Sequence, residues 1–328
     1  MTVRLIVDGL DSFSRIEPAI NVTQAFQKIK GVTIIEWEQL GDTCPAELVI
    51  EAFAVDLPSF YITAMAAKSR RPVWLNLEYL SAESWVDEHH LLPSPHPKLP
   101  LCKHFFFPGF TQNTGGLIRE SNLLAERDAF AQSIMADKLR VFLFSYRNAA
   151  GDHLLRALRE SGVPVHCTVP EGVFATDLNR SLGMQRDLSR ALVIETIPFA
   201  AQQAFDRLLW QHDVLFVRGE DSFVRAQWAG KPFVWQIYPQ SESAHWKKLN
   251  AFLLIYCDGL ENAPASALGE LWRAWNAEDS VNIGSAWAQF MVYFPILQSH
   301  AIAWSKKLAA LPDLAANLLS FYQKTTKI

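Results

Sequence analysis

The stretch "FVRGEDSFVRAQWAGKPFVWQIYPQ", Phe216 to Gln240, decides the fold. Two dry runs, Val214–Val217 and Pro232–Ile237, read as buried strands. Between them Asp221–Ala229 reads as a short helix. A strand, a helix and a strand make a βαβ unit with parallel strands. Polar residues crowd the end of the first strand: Arg218, Gly219, Glu220, Asp221 and Ser222. In an open parallel sheet, ligands sit at the carboxyl ends of the strands. That rule makes these residues the first place to look for a site.

The pattern repeats outward in both directions. Upstream in the same half, strands are expected at Val141–Tyr146, Val163–Thr168 and Leu192–Thr196. Helices are expected at Gly151–Glu160, Ala200–Trp210 and, downstream, Glu242–Ile255. The first half shows strands at Val3–Val7, Leu48–Glu51, Val73–Leu77 and His104–Phe107. Helical patterns there cover Ala19–Lys30, Phe60–Lys68 and Gly116–Lys138, with a loop-rich region between Leu91 and Gly116. From about Leu268 onward the chain is helical, with Trp272, Trp275, Trp287 and Phe290 on an inner face. The fold class is therefore α/β: two Rossmann-like domains facing a cleft, with C-terminal helices packing back on the first. The expected division is 1–137, 138–295 and a helical tail, 296–328.

The 328 residues suffice for two domains, and 50% hydrophobic content suffices for two cores. A net charge of −4, with no run of Lys or Arg, argues against nucleic acid as a partner. Cys44, Cys102, Cys167 and Cys257 are far apart and form no zinc spacing. They read as reduced thiols of a cytoplasmic protein, mostly small core residues. No stretch reaches the ~20 apolar residues that cross a bilayer, so no membrane partner is expected.

Four strand ends of the second half share one inventory. Phe144, Ser145 and Tyr146 end one strand; Phe199, Gln202 and Phe205 follow another. Arg218–Ser222 end the third, and Tyr238 follows the fourth. Tyr146, Phe199 and Phe205 can sandwich a base, and Gln202 can read its edge. Glu220 can take sugar hydroxyls. Asp221 and Ser222 open a helix, whose unpaired amides and dipole favour a diphosphate. Plainer readings stand beside each. Asp221 and Ser222 can be a helix cap, Arg218 and Glu220 a strand-end ion pair, and Phe199 and Phe205 core. No GxGxxG or GxxxxGK[ST] occurs.

The stretches "LFVRGEDSFVRAQWAGKPFVWQIYPQSESAH", "PVWLNLEYLSAESWV", "LVIEAFA", "FFFPGFTQNTGGLIRE" and "LLW" resemble those of the bacterial elongation factor P arginine rhamnosyltransferases. The resemblance runs over nearly the whole chain from Val3, and RGEDSF is its most specific element. It implies the glycosyltransferase B fold and an inverting transfer. The donor would be dTDP-β-L-rhamnose and the acceptor an arginine of elongation factor P, with no cofactor and no metal. It places Phe144 and Tyr146 on the family's FxY strand end. Phe199, Gln202 and Phe205 fall on its thymine-holding PFxxQxxF element. Arg218, Gly219, Glu220, Asp221 and Ser222 fall on its RGEDS loop, with Glu220 the essential glutamate and Asp221 and Ser222 at the diphosphate. Tyr238 falls on the tyrosine of IYPQ, also at the diphosphate.

One departure concerns the beginning. The family opens on a strand and loop reading roughly VVDNYGD, one of whose aspartates is its general base. This sequence opens at what resembles the second strand, "VRLIVDGLDSF", about 45 residues further on by the length of a βα unit. Asp8 and Asp11 read as a strand end and a helix cap rather than as that base. The expectation is a first domain with two unpaired strand edges, poorly folded or inactive by itself. Asn76 and Glu78 can touch the acceptor arginine or brace their loop, and Leu91–Leu101 is either a docking edge or a plain surface loop. Two other readings remain. One is a different nucleotide-sugar transferase or epimerase of the same fold. The other is a non-catalytic protein that binds dTDP-sugar.

Overall fold

The computed structural model describes residues 2–41, 43–53, 55–131, 138–183 and 191–326. Strands in chain order are β1 Val3–Val7, β2 Phe26–Ile29, β3 Val32–Glu36, β4 Leu48–Ala52, β5 Val73–Leu77 and β6 Pro93–Pro95. They continue as β7 Cys102–Phe106, β8 Leu139–Leu143, β9 Val165–Pro170, β10 Leu192–Ile197, β11 Val214–Arg218 and β12 Phe233–Gln236. The helices are α1 Asp11–Ser14, α2 Ser59–Ala67, α3 Trp85–His89, α4 Leu123–Ala131, α5 Gly151–Arg159, α6 Val173–Gly183 and α7 Gln202–Trp210. After these come α8 Asp221–Ala229, α9 Ala244–Tyr256, α10 Asn262–Asn276, α11 Ile283–Val292, α12 Phe294–Ala309 and α13 Leu314–Thr326.

The second half is a parallel five-stranded sheet ordered β10-β9-β8-β11-β12. The order reverses between β8 and β11, so a crevice opens where their carboxyl ends diverge. The apolar run that made each strand readable fills one continuous core. Phe142, Phe216 and Phe233 lie in it beside Trp272, Trp275, Trp287 and Phe290, all at most 1% exposed. Asn276 closes the end of β12: its Oδ1 accepts from Ile237 N at 3.0 Å and its Nδ2 donates to Trp235 O at 2.8 Å.

The first half carries two sheets. One is β1-β3-β2, with β1 parallel and β2 antiparallel to β3. The other is β4-β5-β7-β6, parallel except for the short edge strand β6. β1 pairs only with β3 and β4 only with β5 among the described residues. Their apolar clusters are small and separate, against the single large one of the second half. The terminal helices join the halves. α12 lies on α8, with Trp304 Nε1 donating to Gln227 Oε1 at 2.9 Å. α13 returns to β5, where Leu314, Leu318, Phe321 and Tyr322 cover Val73, Leu75 and Phe106. The expected boundary at 137/138 and the end of the expected helix Gly116–Lys138 fall on 132–137, outside the described residues, and the boundary at 295/296 falls inside α12.

The helix expected at Ala19–Lys30 is instead the strand β2, turning into β3. Lys30 and Gly31 have φ of 49° and 85°, and two successive positive φ values make a tight hairpin turn. The apolar residues that mimicked a helical face point apart: Ile20 is core and Phe26 is exposed. Leu91–Leu101 contains β6, an edge position that tolerates its prolines. Asp11 is the first residue of α1 rather than its cap. Of the cysteines, Cys167 is fully buried, its thiol pushed up to about 12, while Cys44 is exposed.

A buried carboxylate in the first half escaped the sequence reading. Glu51 Oε1 meets Lys103 Nζ at 2.5 Å, and its Oε2 accepts from Trp74 Nε1 at 3.1 Å. Glu51→Ala strands both donors. The expected cost is about 1–3 kcal/mol, seen as a lower urea midpoint with an unchanged slope.

Candidate functional site

The crevice between β8 and β11 gathers the residues that the sequence singled out. β8 runs on into Phe144, whose amide still pairs with Phe216 O at 2.9 Å. The Phe144 ring lies 5.8 Å from Phe205 and 6.1 Å from Phe199. Phe205 is 9% exposed and packs on Phe142, so it serves the core as well as the crevice. Phe199 is 51% exposed and leaves a ring free. The result is an open aromatic box with a fixed floor and one uncovered wall.

Arg218 forms the next wall. Its guanidinium lies 4.6 Å from the Phe144 ring centroid and 4.5 Å from that of Tyr146. It makes no ion pair with Glu220 among the described residues; the rings hold it instead. Its buried Nε has no acceptor. Burial raises the Tyr146 phenol above its usual range, keeping it a neutral donor. The Tyr146 ring meets Tyr238 edge-on at 5.6 Å. Gln236, at the end of β12, secures this corner: its Oε1 accepts from Ser145 Oγ at 2.5 Å and Tyr146 N at 2.8 Å. Gly219 has φ of 69°, and a Cβ there would sit 3.2 Å from the Tyr146 hydroxyl, so both backbone and space call for glycine.

α8 begins at Asp221 with its amino end toward the crevice, and its first-turn amides have no partner within the helix. The Ser222 hydroxyl is buried and donates back to Arg218 O, so only its amide faces outward chemistry. Glu220 precedes the helix without capping it. Its Oε2 accepts from Leu80 N, in the loop after β5, at 3.1 Å. That bond joins the two halves across the cleft. Burial pushes the Glu220 carboxyl above the usual range, while the Leu80 amide and the charge of Lys248 pull it down.

On the opposing edge Asn76 Nδ2 donates to Glu78 Oε1 at 2.5 Å, and Asn76 is buried. This is the bracing arrangement. Beside it Phe53 and Tyr79 lie 4.6 Å apart, tilted by 31°, with both residues exposed, and Lys248 lies 5.9 Å over Tyr79.

The sequence reading missed the layer beneath the crevice. Arg225, whose side chain is 6% exposed, takes Glu120 at 2.7 Å and Asp206 at 2.9 Å. Its spacing of four from Asp221 was the available signal. Three carboxylates surround this one guanidinium and keep it charged. The cost of confining them falls on Asp206, the deepest, which burial pushes up to about 6. An acid raised in the fold binds its proton more tightly there than in the unfolded chain. Its stabilising contribution is full below the ordinary carboxylate range and is lost as pH rises toward 6. Wild type should thus gain about 1–3 kcal/mol over Asp206→Asn between pH 7 and pH 4, read by paired urea titrations.

Comparisons with known proteins all point to one family. The family model described as "Elongation-Factor P (EF-P) rhamnosyltransferase EarP" matches residues 1–323. A protein-arginine rhamnosyltransferase of Pseudomonas putida is 45% identical over 346 residues, covering 99% of this chain and 91% of that protein. One from Pseudomonas aeruginosa is 40% identical, covering 98% and 90%. A solved structure described as "Structural basis for EarP-mediated arginine glycosylation of translation elongation factor EF-P" superposes with a TM-score of 0.65 at 32% identity over 98% of each chain. The shared architecture is the glycosyltransferase B arrangement, two Rossmann-like domains facing a cleft.

Proposed function

The chain belongs to the elongation factor P arginine rhamnosyltransferase family, and from that premise we propose that it moves rhamnose from dTDP-β-L-rhamnose to an arginine of elongation factor P with inversion. One observation carries this reading: an aromatic box, a ring-held arginine and a helix amino end meet at the switch point of the second sheet. The thymine would lie against Phe144, Phe199 and Phe205, with Gln202 at its edge. The diphosphate would face Arg218, Tyr238 and the amides of Asp221 and Ser222. Gly219 lets the chain turn there.

Guanidinium is a poor nucleophile because it stays protonated and delocalised. The donor must therefore be strongly activated. As the arginine nitrogen bonds to the anomeric carbon it gives up one N–H proton to solvent, the diphosphate leaves with the bonding pair, and negative charge grows on the leaving oxygen and positive charge on the sugar ring. Arg218, the Tyr238 hydroxyl and the α8 dipole meet the first without a metal ion. The buried carboxylate of Glu220 meets the second. The Glu220–Leu80 bond holds the acceptor-side loop against the sugar. With a translation factor as acceptor and unpaired thiols, the cytoplasm is the compartment of this reading.

The direct test is mass spectrometry of elongation factor P after incubation with donor and enzyme. One deoxyhexose added to an arginine is the expected result. Donor consumed with no gain on the protein would support a small-molecule transferase or an epimerase, and dTDP binding without turnover a binding protein. Gln202→Ala, removing hydrogen bonds worth ~1–2 kcal/mol, should raise the dTDP dissociation constant roughly 5- to 30-fold by calorimetry.

A further inference from the structure

We propose that Asp221, held by Arg225, sets the nucleobase selectivity of the donor site by locking the orientation of the Gln202 amide. The inference rests on the donor-site reading above. Gln202 and Asp206 share one face of α7, four residues apart, and Asp221 and Arg225 share one face of α8. The two faces meet. Gln202 Nε2 donates to Asp221 Oδ2 at 2.9 Å. The other oxygen, Oδ1, stands 3.7 Å from Arg225 Nε. Arg225 cannot follow Asp221 outward. Both Nη atoms hold Glu120, at 2.7 and 3.0 Å, and Nη1 also holds Asp206 at 2.9 Å. Its Nε is buried and has no acceptor of its own.

An ionised carboxylate only accepts hydrogen bonds. The atom of Gln202 that meets Asp221 must therefore be nitrogen, and the amide cannot flip without setting oxygen against oxygen. Its Oε1 and second N–H remain for the ligand. The aromatic box fixes the ring in this scheme with its N3 at that oxygen, so the base must offer an N–H there with a carbonyl beside it. Thymine and uracil do so with N3–H and a neighbouring C=O. Cytosine offers a bare N3, and the locked amide repels it. Were the amide free to turn, its NH2 could serve cytosine as readily. The selectivity thus lies two residues away from the base. Arg225 holds Asp221 in place, Asp221 orients Gln202, and Gln202 reads the ring. Asp221 and Arg225 are positioning residues in this scheme.

The test is calorimetric binding of dTDP, UDP and CDP to the full chain and to Asp221→Asn. The Asp221 side chain is 55% exposed, so the substitution leaves the core untouched, and an unchanged unfolding midpoint checks this. An asparagine can present either oxygen or nitrogen to Gln202 and releases the lock. Wild type is expected to prefer dTDP and UDP over CDP by at least tenfold, about 1.4 kcal/mol. In Asp221→Asn that preference should fall to threefold or less, chiefly because CDP binds better. Arg225→Lys, which keeps a cation but loses Nε and the fork, should shift the ratio the same way. Equal binding of all three nucleotides by wild type overturns the proposal, and so does full discrimination retained by folded Asp221→Asn. Both outcomes leave the donor site standing. Wild type that binds none of the three overturns that reading and this one with it.

Discussion

Glu220→Gln should slow rhamnose transfer about 10²–10³-fold while leaving dTDP binding within a fewfold of wild type. The substitution separates two jobs of one side chain. The amide oxygen of glutamine can still accept from Leu80 N, so the bond between the halves survives. What disappears is the negative charge, and with it the stabilisation of a sugar that is cationic in the transition state. A purely structural glutamate would tolerate the change with kcat intact. The pH profile adds a second reading. Burial raises the Glu220 carboxyl, so its charge is lost, as pH falls, earlier than for a solvated glutamate. Wild-type kcat should decline on that acid limb, and the limb should be missing in Glu220→Gln. A variant with unaltered kcat would remove Glu220 from the chemistry.

Arg218→Lys should raise the donor KM roughly 10- to 100-fold with a smaller change in kcat. Charge-assisted hydrogen bonds from an arginine fork are worth ~1.5–3 kcal/mol, which sets that range. Charge is conserved in this variant, but planarity is not. The guanidinium lies between the Phe144 and Tyr146 rings, and that contact fixes the plane of the fork. An ammonium on a flexible stem has no such alignment. The loss in folding stability should be about 0.5–2 kcal/mol, the worth of a half-buried cation–π contact, and a folded variant at assay temperature separates it from the binding defect. A lysine variant that binds dTDP within threefold of wild type would show that the fork does not hold the diphosphate.

Much of this site is legible in the sequence. Phe144, Tyr146, Gln202 and Arg218 to Asp221 stand where dry strands end or helices begin, and strand ends of a parallel sheet share one rim. Phe205 reads both as core and as a base platform, and its ring reaches from Phe142 in the core to Phe144 at the crevice. The Ser222 hydroxyl turns back on Arg218 O, a contact that no local pattern announces. One reading needed correction. Residues 19–30 carry an apolar spacing that a helix and a hairpin share. The two positive φ values at Lys30 and Gly31 resolve it, and those are set by how β2 folds onto β3.

By itself the sequence determined the α/β class, the parallel strands of the second half, the bounds of α8 and the rim on which the polar residues lie. These follow from periodicity, which reports the burial of each element on its own and extends only a few residues along the chain. Tertiary structure alone decided that β8 lies beside β11, that Glu220 reaches Leu80, and that Glu120 and Asp206 converge on Arg225. Those partners are up to 140 residues apart, and no local pattern encodes them. Their meeting is a property of the whole packed core, in which buried charges are drawn to whichever counter-charge the strand order brings within reach.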